Sequence, residues 1–470
     1  MNPLQRKSVA DHLQAAKLPA FARAVLLRRL PSQKNRRYTV SLPLSLSLIL
    51  SLLFALFWLR PLHAVIEIEV TKGGFNAIPI AVAPFGWSGE EPVDLSQIIG
   101  EDLARSGLFT VMPREQMPEQ PVSGDRPNYT AWRAAGADYL VIGGGTVESG
   151  KISADFQLFD PIRQKLLTGF SYTVPQKSLR GVGHQMADVI FEEITGLRGA
   201  FNTEIAYVNV SGSLRNRSYQ LQLADADGQN PQAMLTSPRP ILSPSWSPDA
   251  KQIAYVSFED RERSAVYVQD RVSGQRTKII SRQGINGAPS WSPDGTRLAV
   301  VLSYEGNPDI YVVDIATKQG RRVTTDTSID TEPEWLDNQT LVFTSDRSGG
   351  PQIYRISAKG GRAERLTFEG NYNASASVAP DGRGIAVVHG IAGAYRIGLL
   401  EFSTGDFRVL TTGRLDESPS FAPNSQMILF ATNRDSQEAL GAVSVDGEVE
   451  QSFVLGDSNV REPSWSPFTN

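Results

Sequence analysis

Pro289-Ser290-Trp291-Ser292-Pro293-Asp294-Gly295 decides the fold, because the stretch recurs. Pro244-Ser245-Trp246-Ser247-Pro248-Asp249 precedes it, and Pro463-Ser464-Trp465-Ser466-Pro467 follows near the C-terminus. Weaker copies stand between them, at Pro333-Glu334-Trp335, Ser377-Val378-Ala379-Pro380-Asp381-Gly382 and Pro419-Ser420-Phe421-Ala422-Pro423-Asn424. The anchors at 246, 291, 335, 378, 421 and 465 are spaced by 45, 44, 43, 43 and 44 residues. A fixed period of this size marks a propeller or another repeat array.

Each copy encodes one unit. A short strand ends at the anchor, and Pro-Asp-Gly then turns the chain: Pro presets φ, Asp bonds nearby backbone and Gly takes positive φ. An apolar strand follows, as in Ile253–Val256, Leu298–Val301, Leu341–Thr344, Ile385–Val388 and Ile428–Ala431. A third strand reads Val266–Asp270, Ile310–Asp314 or Ile353–Ile356, and a fourth Arg321–Thr324, Glu364–Thr367 or Phe407–Thr411. Four short strands per period make a propeller blade. A β-solenoid has a shorter period, and a sandwich does not repeat.

The ends set the blade count. Ile205–Val208 copies a second strand, with Tyr219–Leu223 as third and Ala233–Thr236 as fourth, but no anchor strand precedes it. Pro463–Pro467 is an anchor strand with no blade after it. Joining the two completes a sixth blade and leaves no open edge. The expectation is a six-bladed all-β propeller over 203–470.

The chain has 470 residues, enough for at least two domains. It carries 46 basic and 50 acidic residues, a formal charge of −4, so no basic face argues for nucleic acid. It has no cysteine, which excludes disulfides, thiolate metal sites and a lipidated cysteine. Arg36-Arg37-Tyr38 leads into an uncharged run from Val40 to Leu59, followed by Leu62-His63-Ala64. This pattern predicts a lead and signal peptide over 1–64, with export and a mature start near Val65. A permanent membrane anchor is the rival, since the run approaches the ~20 residues that span a bilayer.

Residues 65–197 read as an α/β domain. Val65–Phe75 alternates apolar and polar residues and can add to a sheet edge. Ile78–Phe85 is a buried strand, and Asp94 caps a helix carrying Leu95, Ile98, Ile99 and Leu103. A strand at Leu108–Val111, a short helix at 129–136 and an apolar strand at 139–143 follow. Lys151–Phe159 and Lys165–Val174 form a hairpin, and an amphipathic helix runs from Ser178 to Thr195. Gly143-Gly144-Gly145 reads as a strand end, because no lysine or helix follows to make a phosphate loop.

Catalytic chemistry finds little support. Past residue 64 only His184 and His389 remain, the first expected on a solvated helix face and the second structural. There is no Gly-x-Ser-x-Gly elbow and no His-Glu-x-x-His pair. The repeated Ser-Pro-Asp-Gly reads as a turn rather than a calcium or sialidase-type motif. Asp225-Ala-Asp227-Gly228 likewise lacks the bidentate Glu of a calcium loop. No catalytic residue, metal, cofactor or small-molecule substrate is expected.

The repeats, the Ile310-Tyr-Val-Val-Asp314 and Arg322-Val-Thr324 strands, the lead ending Leu62-His63-Ala64, and Pro79-Ile-Ala-Val-Ala-Pro-Phe85 together resemble the TolB family. The resemblance covers about 62–470 and leaves 1–35 outside it. It implies a non-enzymatic periplasmic interaction protein of the Tol–Pal system, which maintains the outer membrane and supports its constriction at division. It further implies that the propeller binds the lipoprotein Pal, and that Val65, Ile66, Glu67, Ile68, Glu69, Val70 and Thr71 bind TolA. Val378 and Phe421 depart from the Trp anchor, and 283–288 carries no histidine. The runner-up is a propeller-containing periplasmic hydrolase, but the peptidases with such propellers place a hydrolase domain after the ring.

The connections into the anchor strands, 236–243, 283–288, 326–332, 369–374, 412–418 and 457–462, are expected to ring one mouth of the channel. Loops held on such a scaffold carry binding. The candidate Pal-binding residues are Asn286, Gly287, Ala288, Asp330, Thr331, Glu332, Asp416, Glu417, Arg461 and Glu462.

Overall fold

The computed structural model describes residues 67–72, 77–148, 151–213, 215–260, 263–434, 437–455 and 459–468. The expected lead and signal, with Val65 and Ile66, lie outside the described residues. Among the described residues no helix is long and apolar enough to cross a membrane.

The N-terminal part begins with β1 (Glu67–Lys72) and then builds an α/β layer pair. Its strands are β2 (Ile78–Val82), β3 (Gly86–Ser88), β4 (Phe109–Val111), β5 (Tyr139–Glu148), β6 (Lys151–Asp160) and β7 (Lys165–Pro175). The sheet order is β4-β2-β5-β6-β7, with β3 beside the far end of β5; β2 runs parallel to β4 and β5, while β5, β6 and β7 are antiparallel. Helices α1 (Leu95–Arg105) and α3 (Leu179–Thr195) pack on one face, and α2 (Tyr129–Ala134) packs through Trp132 on the other. Asp94 caps α1 by accepting from Gln97 N at 2.9 Å, and Leu95, Ile98, Ile99 and Leu103 are buried, as their helical spacing predicts. The two helices cross closely at Gly183, where a Cβ would lie 3.0 Å from Ile98 Cγ2.

Two local expectations need correction. Gly143-Gly144-Gly145 is not a strand end, because β5 continues to Glu148. The glycines let aromatic rings lie on the strand: a Cβ would come within 2.3 Å of the Phe85 ring at Gly143 and 2.4 Å of the Trp87 ring at Gly145. His184 is not solvated. It is 2 % exposed, because the polar side of α3 faces the next domain rather than water.

The propeller has six sheets arranged as the repeats require. The anchor strands are Ile241–Trp246, Asn286–Trp291, Asp330–Trp335, Asn373–Val378, Glu417–Phe421 and Asn459–Trp465. Each contacts the next around the ring, and Asn459–Trp465 contacts Ile241–Trp246 to close it. The closing strand is the inner strand of the blade made by β8 (Glu204–Ser211), β9 (Ser218–Asp225) and β10 (Gln232–Ser237), pairing Asn459↔Val210 through Trp465↔Ile205. β1 adds a fifth strand to the Phe421 blade, pairing antiparallel with Glu450–Val454 from Glu67↔Val454 to Lys72↔Glu450, with a bulge between Val70 and Lys72.

The repeat motif explains its own recurrence. In the Trp291 copy Ser292 Oγ donates to Asp294 Oδ1 at 2.6 Å, Asp294 accepts from Thr296 N at 2.9 Å, and Ser292 Oγ accepts from Arg297 N at 3.0 Å. Gly295 sits at φ 70°. Partial burial would raise the Asp294 carboxyl, but hydrogen bonds from Ser292, Thr296 and Arg297 outweigh it and hold the group well below the usual range. The tryptophan joins blades. Trp246, Trp291 and Trp335 donate Nε1–H across the seam to the carbonyls of Ser464, Ser245 and Ser290, at 3.0, 3.1 and 3.1 Å. Trp291→Phe keeps an aromatic ring but strands the Ser245 carbonyl. It should lower stability by about 1–3 kcal/mol in urea unfolding. A loss under about 0.5 kcal/mol would be surface-like and would deny the seam bond any weight.

Candidate functional site

The channel wall is built by one irregularity repeated six times. Three residues before each anchor the backbone turns left-handed, at Ser243, Ala288, Glu332, Ser375, Ser418 and Glu462, with φ between 45° and 55°. Each inner strand shifts register at that point, for example between Thr331 and Glu334 and between Arg461 and Ser464. These are β-bulges, which bend a strand and re-aim its side chains. No glycine occupies any of the six positions, so each bulge holds a residue that prefers negative φ.

A bulge frees backbone N–H groups, and two are taken by carboxylates from the adjacent blade. Glu332 Oε2 accepts from Ser375 N at 2.9 Å and from Thr344 Oγ1 at 2.9 Å. Glu462 accepts from Ser243 N. Glu334 accepts from Ser290 Oγ at 2.9 Å, and Arg461 pairs with Glu438 at 3.1 Å. The wall around Glu334 pushes its carboxyl up to about 7, against the Ser290 bond. Glu417 is also pushed up to about 7, by burial first and then by the charges of Glu462 and Glu332, with Arg461 opposing. Burial raises Glu462 as well, opposed by the Ser243 N–H and Arg461. The result is a group of acidic side chains, with Arg461 among them, carried on the bulged inner strands.

The ten candidate residues divide in two. Asn286, Asp330 and Asp416 are 1 %, 0 % and 0 % exposed, so their side chains face inward. Asn286 accepts from Arg282 N at 2.6 Å and donates to the Arg282 carbonyl at 2.8 Å. Asp330 receives Arg347 at 2.9 and 3.0 Å, and Asp416 accepts from Thr411 and Thr432 at 2.6 and 2.7 Å. With Asn373, which donates to the Glu369 carbonyl at 2.7 Å, they form a repeated clasp under the loops. Gly287, Ala288, Thr331, Glu332, Glu417, Arg461 and Glu462 are half-buried at the wall. Missed from the sequence are Glu334, Ser243 and Ser375. The offset of three from each anchor was available, but Ser, Ala and Glu carry no left-handed signal.

Both histidines weighed for catalysis sit in structural networks. His389 Nδ1 lies 2.9 Å from Asn373 Oδ1, and burial lowers its pKa against the opposing charge of Glu369. Asp102, His184 and Asp227 come within metal-ligand range of one another. Arg105 and Arg180 pair with the two carboxylates, so the group stands in this structure as an ion-pair cluster.

The architecture therefore defines a class: a closed six-bladed propeller with an α/β domain ahead of it. The TolB amino-terminal domain model matches residues 66–167, and the TolB beta propeller domain model matches 191–469. The Tol-Pal system protein TolB of Xanthomonas campestris is 46% identical over 411 residues, 86% of this chain and 93% of that protein. Its namesake in Xanthomonas oryzae is 46% identical over 423 residues, 87% of this chain and 96% of that one. The crystal structure of TolB from Acinetobacter baumannii superposes with a TM-score of 0.80 at 40% identity, covering 86% of this chain and all of that one. The chain belongs to the TolB family.

The raised carboxyls give a pH signature. An acid whose pKa rises on folding favours the fold most below its unfolded value, and that contribution is lost as pH climbs to the folded value. For Glu334 and Glu417 the window is ~4.5 to about 7. Glu417→Gln should therefore stabilise the protein at pH 8 by about 1–2 kcal/mol, solvent screening included, and change little at pH 4. Thermal unfolding at the two pH values checks this; equal shifts at both would place the Glu417 carboxyl in the ordinary range.

Proposed function

We propose that this chain is the non-enzymatic periplasmic TolB component of a Tol–Pal system. In this reading Pal docks on the channel mouth, TolA takes the Val65–Thr71 segment, and the pair of contacts supports outer-membrane integrity and constriction at division. One observation supports the reading: the half-buried candidate residues, most of the charged ones acidic, stand at or beside the left-handed bulges of the inner strands. Acidic groups so placed suit a protein partner with complementary charge. Membership of the TolB family, whose curated relatives are named for the Tol-Pal system, agrees with it.

Thr331, Glu332, Glu417, Arg461 and Glu462 are the contact residues of this proposal, with Gly287 and Ala288 beside them. Asn286, Asp330 and Asp416 act beneath them, by fixing the loops. Calorimetry with purified Pal separates the two groups. Thr331→Ala or Glu332→Gln should weaken binding by on the order of 1–3 kcal/mol if central to the contact. Undiminished affinity in a protein combining Thr331→Ala, Glu332→Gln, Glu417→Gln and Glu462→Gln would move the site off this mouth.

The TolA assignment rests on a different element. β1 is held at the rim of the Phe421 blade by one ladder to Glu450–Val454. A single edge strand can exchange between its own sheet and a partner. Deleting 65–75 should abolish TolA binding in a pull-down and leave Pal binding intact. Retention of TolA by the deleted protein would assign the contact elsewhere.

A further inference from the structure

The α/β domain grips the propeller through a buried ionic cluster that the channel mouth does not use. His184 on α3 places Nδ1 2.6 Å from Asp102 Oδ2 on α1. Its Nε2 makes no hydrogen bond and lies 3.9 Å from both Asp225 Oδ2, at the end of β9 of the propeller, and Asp227 Oδ2, on the turn that follows. Arg105 meets Asp102 at 2.5 Å. Arg180 reaches Asp225 at 3.0 Å and also binds Asp227. Three carboxylates thus face two guanidinium groups, one positive charge short. The imidazole is the group placed to supply it.

The geometry of the ring agrees. A neutral imidazole donating from Nδ1 to Asp102 would point the Nε2 lone pair at two carboxylates, inside a site that is 2 % exposed. An imidazolium would point an N–H there instead. We propose that His184 is a proton-operated latch between the α/β domain and the propeller: closed when the imidazole is protonated, loosened when it loses that proton.

The surrounding groups support this. Burial would lower the His184 pKa, but the Asp102 charge and hydrogen bond and the Asp227 charge overcome that and the opposing Arg105, so the net shift is upward. A base with a raised pKa strengthens the fold fully below its unfolded value of ~6.5, and loses that contribution as pH rises through the folded value. Asp188, one turn along α3, accepts from Phe201 N at 2.7 Å and Asn202 N at 3.1 Å, in the segment that leads into the propeller. Burial pushes its carboxyl up to about 7, against those two N–H groups, so it too disfavours high pH. Tyr172 faces Asp188, while Glu204, beyond Asp225, is paired with Arg271 at 2.5 Å. Both titrating groups on α3 therefore move in one direction.

The test uses the full chain between pH 5.5 and 9. Histidine-ring NMR should show His184 titrating above ~6.5; the chain has four histidines, and His389→Gln aids assignment without touching the cluster. Hydrogen-exchange protection factors of α3 and the 224–229 turn should fall through the same titration, about tenfold for each unit by which the His184 pKa exceeds ~6.5. His184→Gln should remove that part of the fall and leave the part that Asp188 contributes as it ionises, and Asp188→Asn should remove the Asp188 part alone. A His184 that titrates below ~6.5 overturns the proposal, a result that needs no foldable variant of His184. So do protection factors that ignore its titration, or a His184→Gln protein that keeps the full fall.

Discussion

The seam between neighbouring blades is the contact on which the propeller depends. Each blade is a small sheet with two apolar faces, and neither face is buried until the next blade lies against it. The Nε1–H bonds of Trp246, Trp291 and Trp335 fix how each blade meets the one before. At the Phe421 and Trp465 anchors a serine one residue before the preceding anchor makes the seam bond instead. Ser377 Oγ accepts from Phe421 N at 3.2 Å, and Ser420 Oγ accepts from Trp465 N at 2.9 Å. The seam into the Val378 blade uses Glu332 and Ser375 instead. The sequence period is thus also a hydrogen-bond separation: partners across a seam stand 43 to 46 residues apart within the continuous run of repeats.

That identity explains why the fold was legible. A turn that needs Ser, Asp and Gly at fixed offsets, followed by an anchor that must reach the previous blade, leaves a pattern readable without coordinates. Closure was legible for the same reason, since an anchor strand without a blade and a blade without an anchor strand have one economical solution. The channel wall was not. Its bulges are enforced by the ring geometry on Ser, Ala and Glu, which announce nothing about φ. The loop residues Asn286, Asp330 and Asp416 look like surface groups because they are polar and stand beside turns. They are buried because neighbouring elements bond them: Arg282 for Asn286, Arg347 for Asp330, and Thr411 and Thr432 for Asp416. His184 was misread because a helix has an inside and an outside only relative to a domain, and its second neighbour was not in view.

The same bulges tie architecture to chemistry. A regular inner strand would keep its N–H groups in the ladder and its side chains alternating between the two blade faces. Breaking the register turns residues toward the axis, and frees N–H groups that acids from adjacent blades then fill. Acidic groups can therefore crowd the mouth, since part of their cost is offset by backbone donors and by Arg461. The two domains are joined in a parallel manner. The Arg105 carbonyl accepts from Gln451, Asn424 donates to the Arg198 carbonyl at 3.0 Å, and Gly107 lies so close to Val449 that a Cβ would stand 2.0 Å from it.

Closing the ring with Asn459–Trp465 has a consequence in time. Glu204 N and Ser466 Oγ meet at 3.0 Å across 262 residues of chain. On a ribosome β8 is made long before its inner partner. Through that interval β8 offers a bare strand edge, and an arc of blades has nothing to hold its two ends together. Until Asn459–Trp465 is in place, that edge of β8 is open to whatever strand reaches it first.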